Sequence, residues 1–171
     1  MIRQDGMDCS AVFSGDRVRR YLLLRQWDYF NKTRGLVAFV GLNPSTATET
    51  EDDPTVRRCI NFARDWGYGG MAMLNVFAFR ATDPRVMKAA PDPVGSDNDT
   101  WIERWTSAPA ADLVVACWGV HGDHLLRGRH VSAMLREHVS RDRLRVFGLT
   151  KDRHPKHPLY LAGRTQPKEW R

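Results

Sequence analysis

Three predominantly apolar runs set the tightest limit on what this chain can fold into. Residues 36–42 read LVAFVGL, residues 71–77 read MAMLNVF and residues 113–117 read LVVAC. A strand with one wet face alternates apolar and polar residues, whereas a strand buried on both faces has no need to. None of the runs approaches the roughly 18 to 20 apolar residues that cross a bilayer. Between them the spacing turns helical. Val56, Cys59, Ile60, Ala63 and Trp66 recur at intervals of three and four. Asp53 before Pro54 supplies a cap and a proline at the first helical position, and Gly67 a stop.

The remaining elements follow the same logic. Residues 9–13 and 21–27 predict a hairpin around Ser14-Gly15-Asp16. Residues 80–95, rich in proline, read as a long surface loop. Ser96 is placed to cap a helix with Trp101, Ile102 and Trp105 on one side. A further helix is expected over 124–138, with Leu125, Val131, Met134, Leu135 and His138 near one face. Residues 145–149 give a fourth strand, and 165–171 a frayed basic tail. The order is a hairpin followed by β-α-β-α-β-α-β. Such alternation predicts an α/β fold whose central, mostly parallel sheet is covered on both faces. A length of 171 residues suits one domain spanning 1–171. In open sheets of this kind ligands bind outside the carboxyl ends of the strands.

Composition removes several classes of function. The stretch from Met1 to Ser10 carries Asp5 and Asp8 and no apolar core, so no secretory leader is expected there. A cytoplasmic protein without a membrane partner follows. Cys9, Cys59 and Cys117 are widely spaced and contain no CxxC pair. That argues against a zinc ribbon, a disulfide framework or an iron–sulfur cluster; Cys59 and Cys117 read as core residues. His121, Asp123, His124 and His130 match no common metal spacing and read as helix-surface residues. No metal or cofactor is expected. The net charge of +6 favours a polyanionic partner, with nucleic acid foremost, and the arginine-rich C-terminal third suits phosphate contacts. Oligomeric state is not legible.

Three segments that follow or sit on strands could carry chemistry. The first is Leu42-Asn43-Pro44-Ser45, where Pro44 stiffens the turn that aims Asn43. An asparagine side chain both donates and accepts, so Asn43 can hold a water or a polar ligand edge, or can simply make a turn. The second is Asn75, costly within an apolar strand unless its amide is satisfied. A structural hydrogen bond and a matched base edge both satisfy it. The third is His154-Pro155-Lys156-His157-Pro158-Leu159-Tyr160, a cationic loop stiffened by two prolines.

In this order the three segments resemble the uracil-DNA glycosylase superfamily. Its motifs of the GLNPG and HPSP kind correspond here to Gly41-Leu42-Asn43-Pro44 and to His157-Pro158-Leu159, with Asn75 in the position of a base-reading asparagine and residues 112–119 as the strand-then-glycine segment between. The whole chain is also similar to an uncharacterised bacterial and phage family of unknown function. That family is known by LNPSTA, DDPT, TDP and HPLY motifs, which stand here at 42–47, 52–55, 82–84 and 157–160. The first resemblance implies a three-layer α/β/α domain and a DNA glycosylase-like activity that hydrolyses the N-glycosidic bond of a flipped base. It implies Asn43 and His157 as catalytic residues, with Leu42, Pro44, Ser45 and Asn75 around the base. Pro158, Leu159 and Tyr160 would form the loop that wedges into the DNA. The chain departs from that pattern in three places. Ser45 replaces a glycine, Asn43 stands where the strongest glycosylases carry an aspartate, and the final loop lacks a second proline, so that His154-Pro155 is an alternative alignment.

Two other classes stay open. Glu49, Glu51, Asp52 and Asp53 crowd four carboxylates beside the expected site. They suit capping of the following helix, or a metal-assisted enzyme that modifies a base or nucleotide without excising it. A non-catalytic nucleic-acid-binding module is the third class.

Overall fold

The computed structural model describes residues 2–4, 6–28 and 35–171. Met1 and Asp5, part of the N-terminal stretch discussed above, lie outside the described residues. Three strands, β1 (Ile2–Gln4), β2 (Met7–Phe13) and β3 (Arg20–Gln26), form an antiparallel meander. The expected hairpin is its second half. Four parallel strands come next in space: β4 (Leu36–Gly41), β5 (Gly70–Asn75), β6 (Ala111–Ala116) and β7 (Leu144–Val146). Helix α1 (Pro54–Asp65) joins β4 to β5, while α2 (Pro84–Ala89) and α3 (Asn98–Thr106) lie between β5 and β6. Helix α4 (Arg127–His138) leads to β7, and β8 (Lys168–Glu169) closes the sheet antiparallel to β7.

The strand order β1-β2-β3-β5-β4-β6-β7-β8 decides where a ligand can sit. From β4 the chain moves to β5 on one side, then crosses back to β6 on the other. The loops leaving β4 and β6 therefore diverge and open a crevice at the carboxyl end of the sheet, the usual ligand position in open α/β sheets.

Each face of the sheet has its own apolar cluster. Val37, Phe39, Met71, Met73 and Val115 pack with Val56, Cys59, Ile60 and Ala63 of α1. Ala38, Val40, Ala72, Leu74 and Val114 pack with Ile102 of α3 and with Val131 and Leu135 of α4. Alternate residues of each central strand thus enter opposite clusters, which is why the apolar runs are continuous. Phe147 adds an aromatic group on the α1 side, 4.7 Å from Phe62 and 6.3 Å from Phe39 between ring centres.

Several boundaries differ from the sequence expectations. The segment 80–95 is not all loop, because Asp83 caps α2 by accepting from the Arg85 amide. Asp97, not Ser96, precedes α3, and no side chain caps that helix. Helix α4 starts at Arg127 rather than at 124, since Leu125 and Leu126 both take left-handed backbone angles. The fourth strand ends at Val146. The expected frayed tail is instead β8 followed by buried Trp170, whose ring meets Trp118 edge-on at 5.6 Å. Among the described residues no helix is long and apolar enough to cross a membrane.

Candidate active site

A cleft of about 460 Å³ lies in the crevice between the loops that follow β4 and β6. Its walls bring together Leu42, Asn43 and Ser45 after β4, Asp53 at the head of α1, Trp118 to His121 after β6, and His157, Leu159 and Tyr160 from the last loop. Six of the sequence-nominated residues therefore share one cavity: Leu42, Asn43, Ser45, His157, Leu159 and Tyr160. Pro44 and Pro158 do not line it; Pro158 is buried and anchors the short 3₁₀ turn Pro158–Tyr160.

Asn43 is held by its amide nitrogen. Nδ2 donates to the carbonyls of Ala81 at 2.7 Å, Pro44 at 3.0 Å and Phe79 at 3.3 Å. The Ala81 amide donates back to Pro44 at 2.8 Å, and Ser45 Oγ lies 3.1 Å from Thr82 Oγ1. Asn43 thus stitches the loop after β4 to the segment after β5. Its donors are committed, and Oδ1 is the group it can offer a ligand.

His157 is half-buried at the head of the last loop. Its Nδ1 accepts from the Leu159 amide at 3.4 Å, which places the proton of the neutral ring on Nε2. Burial pushes the ring's pKa below its ordinary value; the nearby Asp53 carboxylate opposes that shift and His121 adds to it. His121 is itself shifted downwards, by burial first and then by Lys88, whose ammonium lies 3.3 Å from His121 Nδ1. Leu159 and especially Tyr160 stay exposed on the rim, with the Tyr160 ring 5.7 Å from that of His157.

Asn75 does not join them. It is 2% exposed and absent from the cleft wall, and its Oδ1 lies 3.0 Å from where a Cβ on Gly41 would stand. The expectation that Asn43, Asn75 and His157 share one cleft is corrected on this point. Asn75 sits opposite Gly41 in the β4–β5 register, and its amide packs against that glycine inside the sheet. Its Nδ2 has no hydrogen-bond partner among the described residues. The backbone at the end of β5 is held instead by residues the sequence reading passed over. Buried Asn98 donates to the carbonyls of Asn75 and Val76 at 3.0 and 3.2 Å, and Arg127 Nε donates to Val76 at 2.7 Å.

The acidic segment divides its labour. Arg17 grips both oxygens of Glu49 and holds its pKa well below the usual carboxylate range. Asp52 pairs at 2.8 Å with Arg25, which is almost fully buried. Asp53 caps α1 by accepting from the Val56 amide at 2.9 Å, as its position before Pro54 implied, and it also lines the cleft. Of the four carboxylates expected beside the site, only Asp53 lines the cleft.

His121, read as a helix-surface residue, lines the cleft, whereas His124 packs on Phe77 and His130 meets Asp99. Among the described residues no group of three or more His, Cys, Asp or Glu is placed to hold a metal ion.

No curated protein and no solved structure matches the chain. A family model does, over residues 20–159, and the chain accordingly belongs to the family described as protein of unknown function DUF1643.

Proposed function

We propose that the chain is a nucleobase glycosylase-like enzyme on a three-layer α/β/α scaffold of the uracil-DNA glycosylase type, acting on a base flipped out of a nucleic acid, with DNA as the expected partner. One observation carries the reading: a cleft at the switch point of the sheet holds Asn43, Asp53 and His157 together. Breaking an N-glycosidic bond sends the bonding electrons to the base and leaves positive charge on the sugar. Nε2–H of His157 is suited to stabilise the departing base as negative charge builds on it. Asn43 Oδ1 can accept from a water that attacks the anomeric carbon. Asn43 cannot take that water's proton, but Asp53 is a carboxylate in the same cleft. Exposed Leu159 and Tyr160 suit the space that a flipped base leaves in its stack.

A second reading, modification of a base or nucleotide without excision, draws on the commitment of both Asn43 amide hydrogens to backbone carbonyls. One experiment separates the two. The protein is incubated with single- and double-stranded oligonucleotides carrying damaged and modified bases, and free bases and altered nucleosides are then measured by mass spectrometry. A released base supports excision. An altered nucleoside that stays in the strand supports modification. Binding without any product reduces the chain to a nucleic-acid-binding module.

A further inference from the structure

A second cleft, of about 680 Å³, opens on the other side of Trp118. One bank is the outer face of α4, where Arg129, Ser132 and Arg136 recur at helical spacing while Val131 and Leu135 turn into the core. The other bank is the segment 152–155, with Arg153 and His154. Gly122 and Gly128 keep the floor low, because a Cβ at either position would run into the Trp118 ring.

Two of the three arginines of this cleft are available, while Arg136 is engaged by Trp170. Neither Arg129 nor Arg153 forms an ion pair among the described residues, and Arg136 lies with its guanidinium 4.7 Å from the centre of the Trp170 ring. Two aspartates, Asp123 and Asp152, also line the cleft. The three arginines of the lining outnumber them, and the C-terminal part of the chain is basic as a whole. Residues 121–171 hold twelve Lys and Arg against five Asp and Glu, whereas residues 1–120 hold fourteen against fifteen. Arg153 has a second peculiarity. Its φ is +63°, in the left-handed region that an arginine avoids unless its surroundings impose it.

The two clefts share a partition. Trp118 lines both; Gly119 to His121 face the first and Gly122 and Asp123 the second. The last loop divides in the same way, with residues 152–155 on one side and His157 on the other. A hydrogen bond of 2.8 Å from the Gly119 amide to the Pro155 carbonyl ties the partition together.

We propose that the second cleft seats the phosphodiester backbone of a nucleic-acid strand, beside the nucleotide whose base enters the first. The substrate is then a nucleotide within a strand and not a free nucleoside or nucleotide. The assignment rests on the nucleobase reading of the first cleft, but its test reads binding and not turnover.

Fluorescence anisotropy with a labelled single-stranded DNA of roughly 20 nucleotides, longer than one binding site of ordinary size, is measured across a series of salt concentrations. Each phosphate contact on a single strand contributes about 0.7 to the slope of log affinity against log salt. Arg129→Gln with Arg153→Gln is expected to reduce that slope by about 1.4. Arg153→Gly alone is expected to reduce it by about 0.7 while raising the melting temperature, since glycine relieves the left-handed strain. A merely structural arginine would not separate stability from binding in this way. His157→Ala is expected to leave the slope unchanged. Wild-type slopes in both arginine variants, no binding of the oligonucleotide by the native protein, or preferential binding of a free nucleoside triphosphate would each overturn the proposal. Absence of base release with the slope changes intact would count against the glycosylase reading alone.

Discussion

Asn43 donates from Nδ2 to the carbonyl of Ala81 at 2.7 Å, joining the loop after β4 to the segment after β5. The residue proposed to position a water is thus also a clamp that shapes its own cleft. Asn43→Ala removes the donor from three carbonyls and is expected to cost about 1 to 3 kcal/mol of stability. Asn43→Asp is expected to cost at least as much at neutral pH, because a carboxylate would face the same carbonyls with nothing to donate. Part of that loss should return on acidification, when the protonated acid can donate again. Urea unfolding measures both, and an Asn43→Asp protein as stable as the native one would refute the clamp.

Trp170 carries the second prediction. Its ring is buried against Trp118, and Arg136 covers it from another direction. Trp170→Ala is expected to destabilise by about 3 to 5 kcal/mol, the usual range for a buried tryptophan. For a chain of this size each kcal/mol corresponds to about 2 to 4 °C in melting temperature. A disordered tail would leave the melting temperature where it was.

These two residues show what a sequence can and cannot disclose. Apolar runs and helical spacing announced the central strands and α1, because burial on two faces leaves a composition signal that needs no partner. Trp170 gave no such signal. One tryptophan beside Pro167, Lys168 and Glu169 has no periodicity, and its partner Trp118 lies 52 positions earlier. The site was legible where residues follow strands, as with Asn43 and His157, since topology gathers those loops at one edge of the sheet. Asn75 shows the limit of that reasoning. Its place on a buried strand was legible, but the packing of its amide against Gly41 of the neighbouring strand was not. Asn75→Asp is thus better suited to test folding than base choice. The acidic segment was legible as a group beside the site, but which of its four carboxylates reaches the cleft depends on arginine partners far away in the sequence, which engage Glu49 and Asp52.

The third prediction concerns pH. Burial disfavours the protonated His157 ring, so its pKa in the folded protein lies below the ordinary value of 6.5. As pH falls through 6.5 the unfolded chain takes up the proton first. The stabilisation due to this residue is therefore fully present above 6.5 and is lost as pH falls towards the folded-state pKa. His121, shifted the same way, contributes in the same window. His157→Gln is expected to weaken the acid-side loss of stability without removing it. NMR titration should place the His157 midpoint below 6.5, and a midpoint at or above that value would contradict its burial.

Asp53 allows cap and carboxylate to be separated, because asparagine caps a helix about as well as aspartate does. Asp53→Asn retains an oxygen for the Val56 amide and should stay within a few tenths of a kcal/mol of native stability. Asp53→Ala leaves that amide without its partner and should cost about 1 kcal/mol. If Asp53 takes the proton of the attacking water, both variants lose turnover alike despite their different stabilities. His157→Ala should slow turnover by a factor of about a hundred to a thousand, the usual cost of one donor to developing charge. The carboxylate has a signature that does not depend on finding a substrate. It holds the His157 pKa up against burial, so Asp53→Asn should move the His157 midpoint further down. An unchanged midpoint, or an Asp53→Asn protein that turns over at the native rate, would leave Asp53 a helix cap and nothing more.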